Sequence, residues 1–322
     1  MDEITKPYVI GLDLGGTNSV FGIVDARGNI VATTAIKTQA YPDFDDYVKA
    51  SVDALMPIID TVGGIEKIKA LGIGAPNGNY YNGTIEYAAN LVWQGVVPIA
   101  KKFEEALGIP VIVTNDANAA AVGEFTYGVA RGMKNFIMIT LGTGVGSGIY
   151  INGQLVLGCD GLAGELGHLT VIPGGRTCGC GRKGCLEQYA SATGVVRLYL
   201  EECERRGVKP APVEHATDTL TVFRALAAGD ECAKIAVDQM CEYLAQAMAQ
   251  VSCIVDPAMY LIGGGVAGAF ATFAPELRRR FAAHALSTCK DVRIEAAGLG
   301  NQAAMYGCAY EALRLRQERL GE

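Results

Sequence analysis

Glu165-Leu-Gly-His168 and, a little further on, Cys178-Gly-Cys180-Gly-Arg-Lys-Gly-Cys185-Leu-Glu187 gather one imidazole, three thiols and two carboxylates in a short stretch. One histidine and three cysteines at such spacing can close the tetrahedral, soft-ligand site that zinc prefers. Three thiolates and an imidazole leave no open coordination position, so a zinc on His168, Cys178, Cys180 and Cys185 would be structural. What it would fix in place is Glu165, Glu187 and the imidazole, acceptors suited to a polyhydroxyl ligand such as a sugar. The plainer alternative is a Gly-rich turn of small residues, which has little need of three thiols so close together.

A second set of residues points to phosphate. Asp13-Leu-Gly-Gly-Thr-Asn18 sits at a tight hairpin, where Gly15 and Gly16 let the backbone approach an anion. Exposed amides there, with the Thr17 hydroxyl and Asn18, can hold phosphate oxygens, and Asp13 could hold Mg²⁺ directly or through water. The run is not a Walker A motif, and a strand rather than a helix follows it, which excludes the dinucleotide fingerprint. Matching glycine turns recur at Gly142-Thr143-Gly144 and Gly263-Gly264-Gly265. Asp116, in Asn115-Asp116-Ala-Asn118, follows a buried apolar strand and precedes a helix. A base that accepts a hydroxyl proton in phosphoryl transfer needs such a rigid mount, although an aspartate there can equally be a helix N-cap.

The elements that must position these groups show in the periodicity. Strands are expected at Tyr8–Asp13 and Ser19–Val24, and the same strand–glycine turn–strand pattern returns at Phe136–Leu141 and Gly148–Ile151. Helices are expected at Tyr47–Val62, Ile99–Leu107, Ala117–Phe125, Ala192–Arg206, Thr219–Ala228, Glu231–Val255 and about Gln302–Arg319. Further strands fall at Ala70–Ile73, Pro110–Thr114 and Met259–Ile262. Interleaved helices and strands with a repeated hairpin make an α/β chain of two related domains. Trp93, the single tryptophan, suits a cleft wall or the core equally well.

The 322 residues are half hydrophobic and 19% charged, which fits packed globular domains and argues against disorder. A net charge of −7 gives no electrostatic footprint for nucleic acid. No run has the length of a membrane span, and the charged N-terminus is not a signal peptide. The seven cysteines outside the cluster are scattered, several in helical apolar patterns, and are expected to be buried reduced thiols of a cytoplasmic protein. His215 reads as a loop residue, and His284 lies beside Arg278-Arg-Arg280, read as a solvated helix face.

Asp13–Asn18, Asn115-Asp116-Ala-Asn-Ala-Ala-Ala-Val-Gly-Glu124, Glu165-Leu-Gly-His168 and Cys178–Glu187 closely resemble the ROK family of repressors, open reading frames and sugar kinases, over essentially the whole chain. Cys185-Leu-Glu-Gln-Tyr-Ala-Ser-Ala-Thr-Gly194 is most similar to its bacterial glucokinases. The resemblance implies an actin-like ATPase (ribonuclease H-like) duplicated two-domain fold with an interdomain cleft. It places a small lobe at residues 1–127 plus 301–322 and a large lobe at 128–300. It implies transfer of the γ-phosphoryl of ATP to a sugar, glucose first, with Mg²⁺, a structural Zn²⁺ and a homodimer. Asp116 becomes the general base; Asn115, Glu165, His168 and Glu187 hold sugar hydroxyls, joined more loosely by Gly78 and Asn90. Pro76-Asn77-Gly78-Asn79-Tyr80 departs from the family's usual Pro-Gly turn. Fructose, mannose, allose, N-acetylmannosamine and N-acetylglucosamine are the alternative acceptors. A sugar-sensing repressor is the alternative of another class, disfavoured because the first strand begins too early for a preceding DNA-binding domain.

Overall fold

Alternation along a buried strand sets the layers of the first half of the molecule. In β1 (Tyr8–Leu14), Ile10, Leu12 and Leu14 share one face, and Val9, Gly11 and Asp13 share the other. The computed structural model describes residues 6–320, with side chains to residue 314. Elements are numbered in chain order.

β1 pairs antiparallel with β2 (Asn18–Asp25), and β2 with β3 (Ile30–Lys37). After α1 (Phe44–Asp60) the chain returns as β4 (Ile68–Ala75), parallel to β1. A small antiparallel sheet follows, made of β5 (Gly78–Asn79), β6 (Thr84–Glu86) and β7 (Val96–Val97). Then α2 (Ile99–Leu107) leads to β8 (Val111–Asn115), parallel to β4, and on into α3 (Asp116–Thr126). The main sheet has the order β3-β2-β1-β4-β8.

Its Ile10/Leu12 face packs on Tyr47 and Leu55 of α1 and Phe103 of α2. The opposite face takes the last helix, α9 (Ala303–Leu320), where Val9, Val24, Ala70 and Ile112 meet Ala309 and Ala312. That helix lies so close that a side chain at Gly11 or Gly72 would strike its backbone at Met305 or Cys308. Each large side chain buried in this way contributes about 1.5–3 kcal/mol relative to exposure.

The second unit repeats the plan. β9 (Phe136–Leu141) and β10 (Val145–Ile151) form a hairpin, with β11 (Gln154–Leu155) at the edge. α4 (Glu187–Ala190), α5 (Ala192–Arg206), α6 (Thr219–Ala227) and α7 (Glu231–Val255) follow. β12 (Met259–Gly263) runs parallel to β9, and α8 (Phe270–His284) leads to β13 (Arg293–Ala296), parallel to β12. The order β11-β10-β9-β12-β13 has the hairpin and parallel strands of the first sheet in the same sequence. Its core joins Ile137 and Ile139 to Tyr199, Met240, Leu244 and Phe273.

The chain divides into a unit running to Met133, with Leu155–Ala163 and the residues from Asn301, and a second unit of Lys134–Gln154 and Gly164–Gly300. The first boundary therefore lies after 133 rather than after 127, and 155–163 go with the first unit. The two are of nearly equal length, not a small and a large lobe. Trp93 is core: it meets Phe44 edge-on and Tyr47 at a tilt, and its indole N–H donates to the Tyr41 carbonyl at 3.0 Å. Cys203, Cys232, Cys241, Cys289 and Cys308 are buried, whereas Cys159 and Cys253 are exposed, against the expectation of burial. His215 is exposed. Arg278 donates to the Ile294 carbonyl, Arg279 and Arg280 pair with Glu276, and Arg280 and His284 pair with Glu242.

Candidate active site

Parallel strands bring the two aspartates of the first unit to neighbouring strand ends. Asp13 on β1 is in register with Gly74 on β4, and Gly74 with Thr114 on β8, directly before Asn115 and Asp116. The C-terminal ends of parallel strands are where open α/β sheets place their ligands. Asn115, not Asp116, is the N-cap of α3: its Oδ1 accepts from the Ala117 and Asn118 amides. Asp116 is the first helical residue, and one of its oxygens accepts from the Ala117 N–H at 2.8 Å. Asn118, on the same turn, is 2% exposed, and its Oδ1 has no hydrogen-bond partner among the described residues.

Burial, and after it the Asp116 carboxylate, pushes the Asp13 carboxyl up to about 6. Burial also holds Asp116 above the ordinary carboxylate range, against the pull of the Ala117 amide. A carboxyl raised in the fold favours folding below its unfolded value near pH 4, and that contribution is lost as the pH rises through 6. Asp13→Asn is therefore expected to be more stable than wild type by roughly 1–3 kcal/mol at pH 8, a gain that vanishes by about pH 4. Urea unfolding without nucleotide, run at both pH values, checks it; equal stability at pH 8 would contradict the strain.

The Asp13–Asn18 turn is closed by Gly15 N–H donating to the Asn18 carbonyl, and Thr38 ties it from β3's far end through Gly15 O and Thr17 O. Thr17 and Asn18 are exposed. Gly16 lies directly against the Asn90 backbone, which places Asn90 beside this turn. Gly78 packs on the Thr114 carbonyl, so β5 abuts the strand that ends in Asn115. In the second unit, the Gly142–Gly144 turn is closed by Gly142 N–H to Gly144 O, and Ala192 at the start of α5 donates to Gly142 O. Gly264, at φ +81°, backs against Leu141 just before that turn, so Gly263–Gly265 lie beside Gly142–Gly144.

The second unit also gathers the zinc-type donors. His168 Nδ1, Cys178, Cys180 and Cys185 form one group, with one ligand atom from each lying within 4.8 Å of the others. Cys178 Sγ is 3.6 Å from His168 Nδ1, and Cys180 Sγ is 3.6 Å from Cys185 Sγ. Tetrahedral zinc with arms of about 2.3 Å to sulfur and 2.0–2.1 Å to nitrogen sets its donors roughly 3.5–3.8 Å apart. The donor types fit that ion, and the Cys178–His168 and Cys180–Cys185 pairs have its spacing. With Nδ1 turned to the thiols, His168 directs Nε2 toward Glu165 Oε2, 3.8 Å away. Glu187 opens α4 beside Cys178, and its Oε2 accepts from the Val145 N–H at 3.2 Å. A side chain at Gly144 would collide with that carboxylate, so glycine there lets the turn meet it. Glu187 thus connects the metal-type cluster to the Gly142–Gly144 turn.

Each unit therefore holds its expected residues together. Asp13–Asn18, Gly78, Asn90, Asn115 and Asp116 belong to the first; Gly142–Gly144, Glu165, His168, Glu187, the three cysteines and Gly263–Gly265 belong to the second. The buried Asn118 amide was not anticipated, although Asn118 lies inside the Asn115–Glu124 run.

The ROK family pattern matches residues 9–314. The chain belongs to the ROK family. A glucokinase of Halalkalibacterium halodurans is 37% identical over 311 residues, 93% of this chain and 93% of that protein. Among solved structures, a ROK glucokinase from Streptomyces griseus in complex with glucose and AMPPNP superposes with a TM-score of 0.82 at 32% identity, covering 95% of this chain and 99% of its own. A ROK hexokinase from Thermus thermophilus gives 0.82 at 32% identity, over 97% and 99%. The duplicated hairpin-and-parallel sheets are thus the actin-like, ribonuclease H-like ATPase fold in its ROK form.

Proposed function

We propose that this ROK protein transfers the γ-phosphoryl group of ATP to glucose, giving glucose 6-phosphate and ADP. The observation that carries the reading is Asp116, a carboxylate mounted at the start of α3 and held above its ordinary range by burial, in a chain 37% identical to a glucokinase across nearly its full length.

Asp116 is the general base. One of its oxygens is held by the Ala117 amide, which aims the other, and its raised pKa makes it a better proton acceptor for the attacking hydroxyl. Asn115 spends its Oδ1 on the helix cap, which leaves Nδ2 for a sugar hydroxyl. Glu165, His168 and Glu187 hold further hydroxyls, with Gly78 and Asn90 lining the sugar's surroundings. The amides of Gly15–Asn18, Gly142–Gly144 and Gly263–Gly265 receive the nucleotide. Asp13, an oxygen donor whose charge is disfavoured by burial and then by the neighbouring Asp116, suits the Mg²⁺ that accompanies ATP, which when bound neutralises phosphate charge. His168, Cys178, Cys180 and Cys185 would hold a structural Zn²⁺, which would fix the loop between Glu165 and Glu187.

No helix among the described residues is long and apolar enough to cross a membrane. The buried thiols support a reducing, cytoplasmic setting. The test is turnover with Mg-ATP across a panel of sugars, in which glucose is expected to show the highest kcat/KM. A tenfold advantage for fructose or an N-acetylated amino sugar would overturn the glucose assignment, and no turnover on any sugar would overturn the kinase.

A further inference from the structure

Leu155–Ala163 belongs to the first unit, although the chain before and after it belongs to the second. Two side chains, Asn79 at the end of β5 and Tyr81 in the turn after it, pin this strap. Asn79 Nδ2 donates to the Asp160 carbonyl at 3.2 Å, and the Tyr81 hydroxyl donates to the Gly158 carbonyl at 2.9 Å. Asn79 is 5% exposed, so its amide has little water to take as an alternative partner. Its Oδ1 acts separately, accepting from the Tyr81 and Asn82 amides and shaping their turn. Gly161 faces Asn79 and Tyr81 at φ +79°, a backbone conformation that other residues adopt only with strain. Within the strap, Ala163 N–H donates to the Leu157 carbonyl at 3.0 Å, which closes it into a loop. Gly164 and Glu165 follow at once, and Ser147 Oγ donates to the Gly164 carbonyl.

We propose that Asn79 and Tyr81 are positioning residues for sugar binding: they clamp the strap that runs into Glu165, and so set that carboxylate's place without touching the sugar themselves. The inference rests on the reading above that Glu165 holds a sugar hydroxyl. It gives the departure at Pro76–Tyr80 from the family's usual turn a function, because Asn79 and Tyr81 lie in and directly after it.

Asn79→Asp separates the two roles of the Asn79 side chain. It keeps the Oδ1 acceptor of the turn, removes the Nδ2 donor, and sets an oxygen against the Asp160 carbonyl. Tyr81→Phe removes only the second bond. Hydrogen exchange of the sugar-free protein is expected to quicken about tenfold at the Ala163 amide in either variant, with the Asn82 amide unchanged. The KM for glucose is expected to rise about tenfold, with kcat within about twofold and the KM for ATP unchanged, as for an interaction that serves ground and transition states alike. A merely structural role would lower the active fraction, and hence kcat, without moving KM. Unchanged exchange in both variants overturns the clamp; faster exchange with an unchanged glucose KM overturns the positioning. A wild-type protein that does not turn over glucose overturns the kinase reading instead, and the exchange measurement, made without sugar, still decides the clamp.

Discussion

Asp116→Asn is expected to lower kcat by roughly 10²- to 10⁴-fold, the range that follows loss of general-base help. The asparagine keeps the size of the side chain and an oxygen for the Ala117 amide, so α3 should start where it does now. It also removes a carboxylate that burial disfavours, so thermal stability should hold or rise. The KM for glucose should move little, because the hydroxyl can still meet a polar atom at that place. Steady-state kinetics beside a melting curve measure both parts. Turnover within about threefold of wild type would remove Asp116 from the role of base.

Cys180→Ser is expected to release the metal, and with it both stability and sugar affinity. Elemental analysis should find one zinc per wild-type chain and none in the variant. At about 2–4 °C per kcal/mol for a unit of this size, losing several kcal/mol lowers Tm on the order of 10 °C. Glu165 and Glu187 lie at either end of the cross-linked segment, so the KM for glucose should rise by about 10- to 100-fold, the usual cost of loosening a metal site's surroundings. Nucleotide affinity should fall less, since the Gly142–Gly144 turn holds no metal ligand and meets the cluster through the Glu187–Val145 bond. A metal-free wild type with full activity and normal Tm would sink the zinc assignment. A zinc-free variant that binds glucose normally would show a distant staple with no bearing on the sugar.

The sequence was most informative where chemistry and local geometry coincide. Gly15-Gly16 between two apolar runs could only be a hairpin, and the break from Val111–Thr114 to Asn115-Asp116 marks a strand end feeding a helix. Which of Asn115 and Asp116 caps α3 was not legible, because both side chains cap well and the choice is made by where the helix dihedrals begin. β3 escaped because an edge strand of alternating Ile, Ala and Thr is only half-buried and carries no apolar run. The Arg278–His284 end of α8 was legible as a helix face, but its start at Phe270 was not, because Pro275 lies in the early turns. The allegiance of 155–163 lies in long-range bonds to Asn79 and Tyr81, which leave no mark on its own composition.

The packing of α9 on β1 and β4 imposes an order on synthesis. The face bearing Val9, Val24, Ala70 and Ile112 is covered by a helix that begins at Ala303, after the whole second unit has been made. At about 5–20 residues per second, the roughly 170 residues between Met133 and Ala303 take on the order of 10–30 s to add. For that interval the first half of a nascent chain carries an apolar sheet face that lacks its main covering helix, while the second half, contiguous but for one strap, has all it needs to fold. The half translated later is therefore the half that matures first. The earlier half is a natural client for chaperones, and a substitution at Gly11 or Gly72 that delays the docking of α9 should lower soluble yield in cells before it lowers the activity of whatever protein survives.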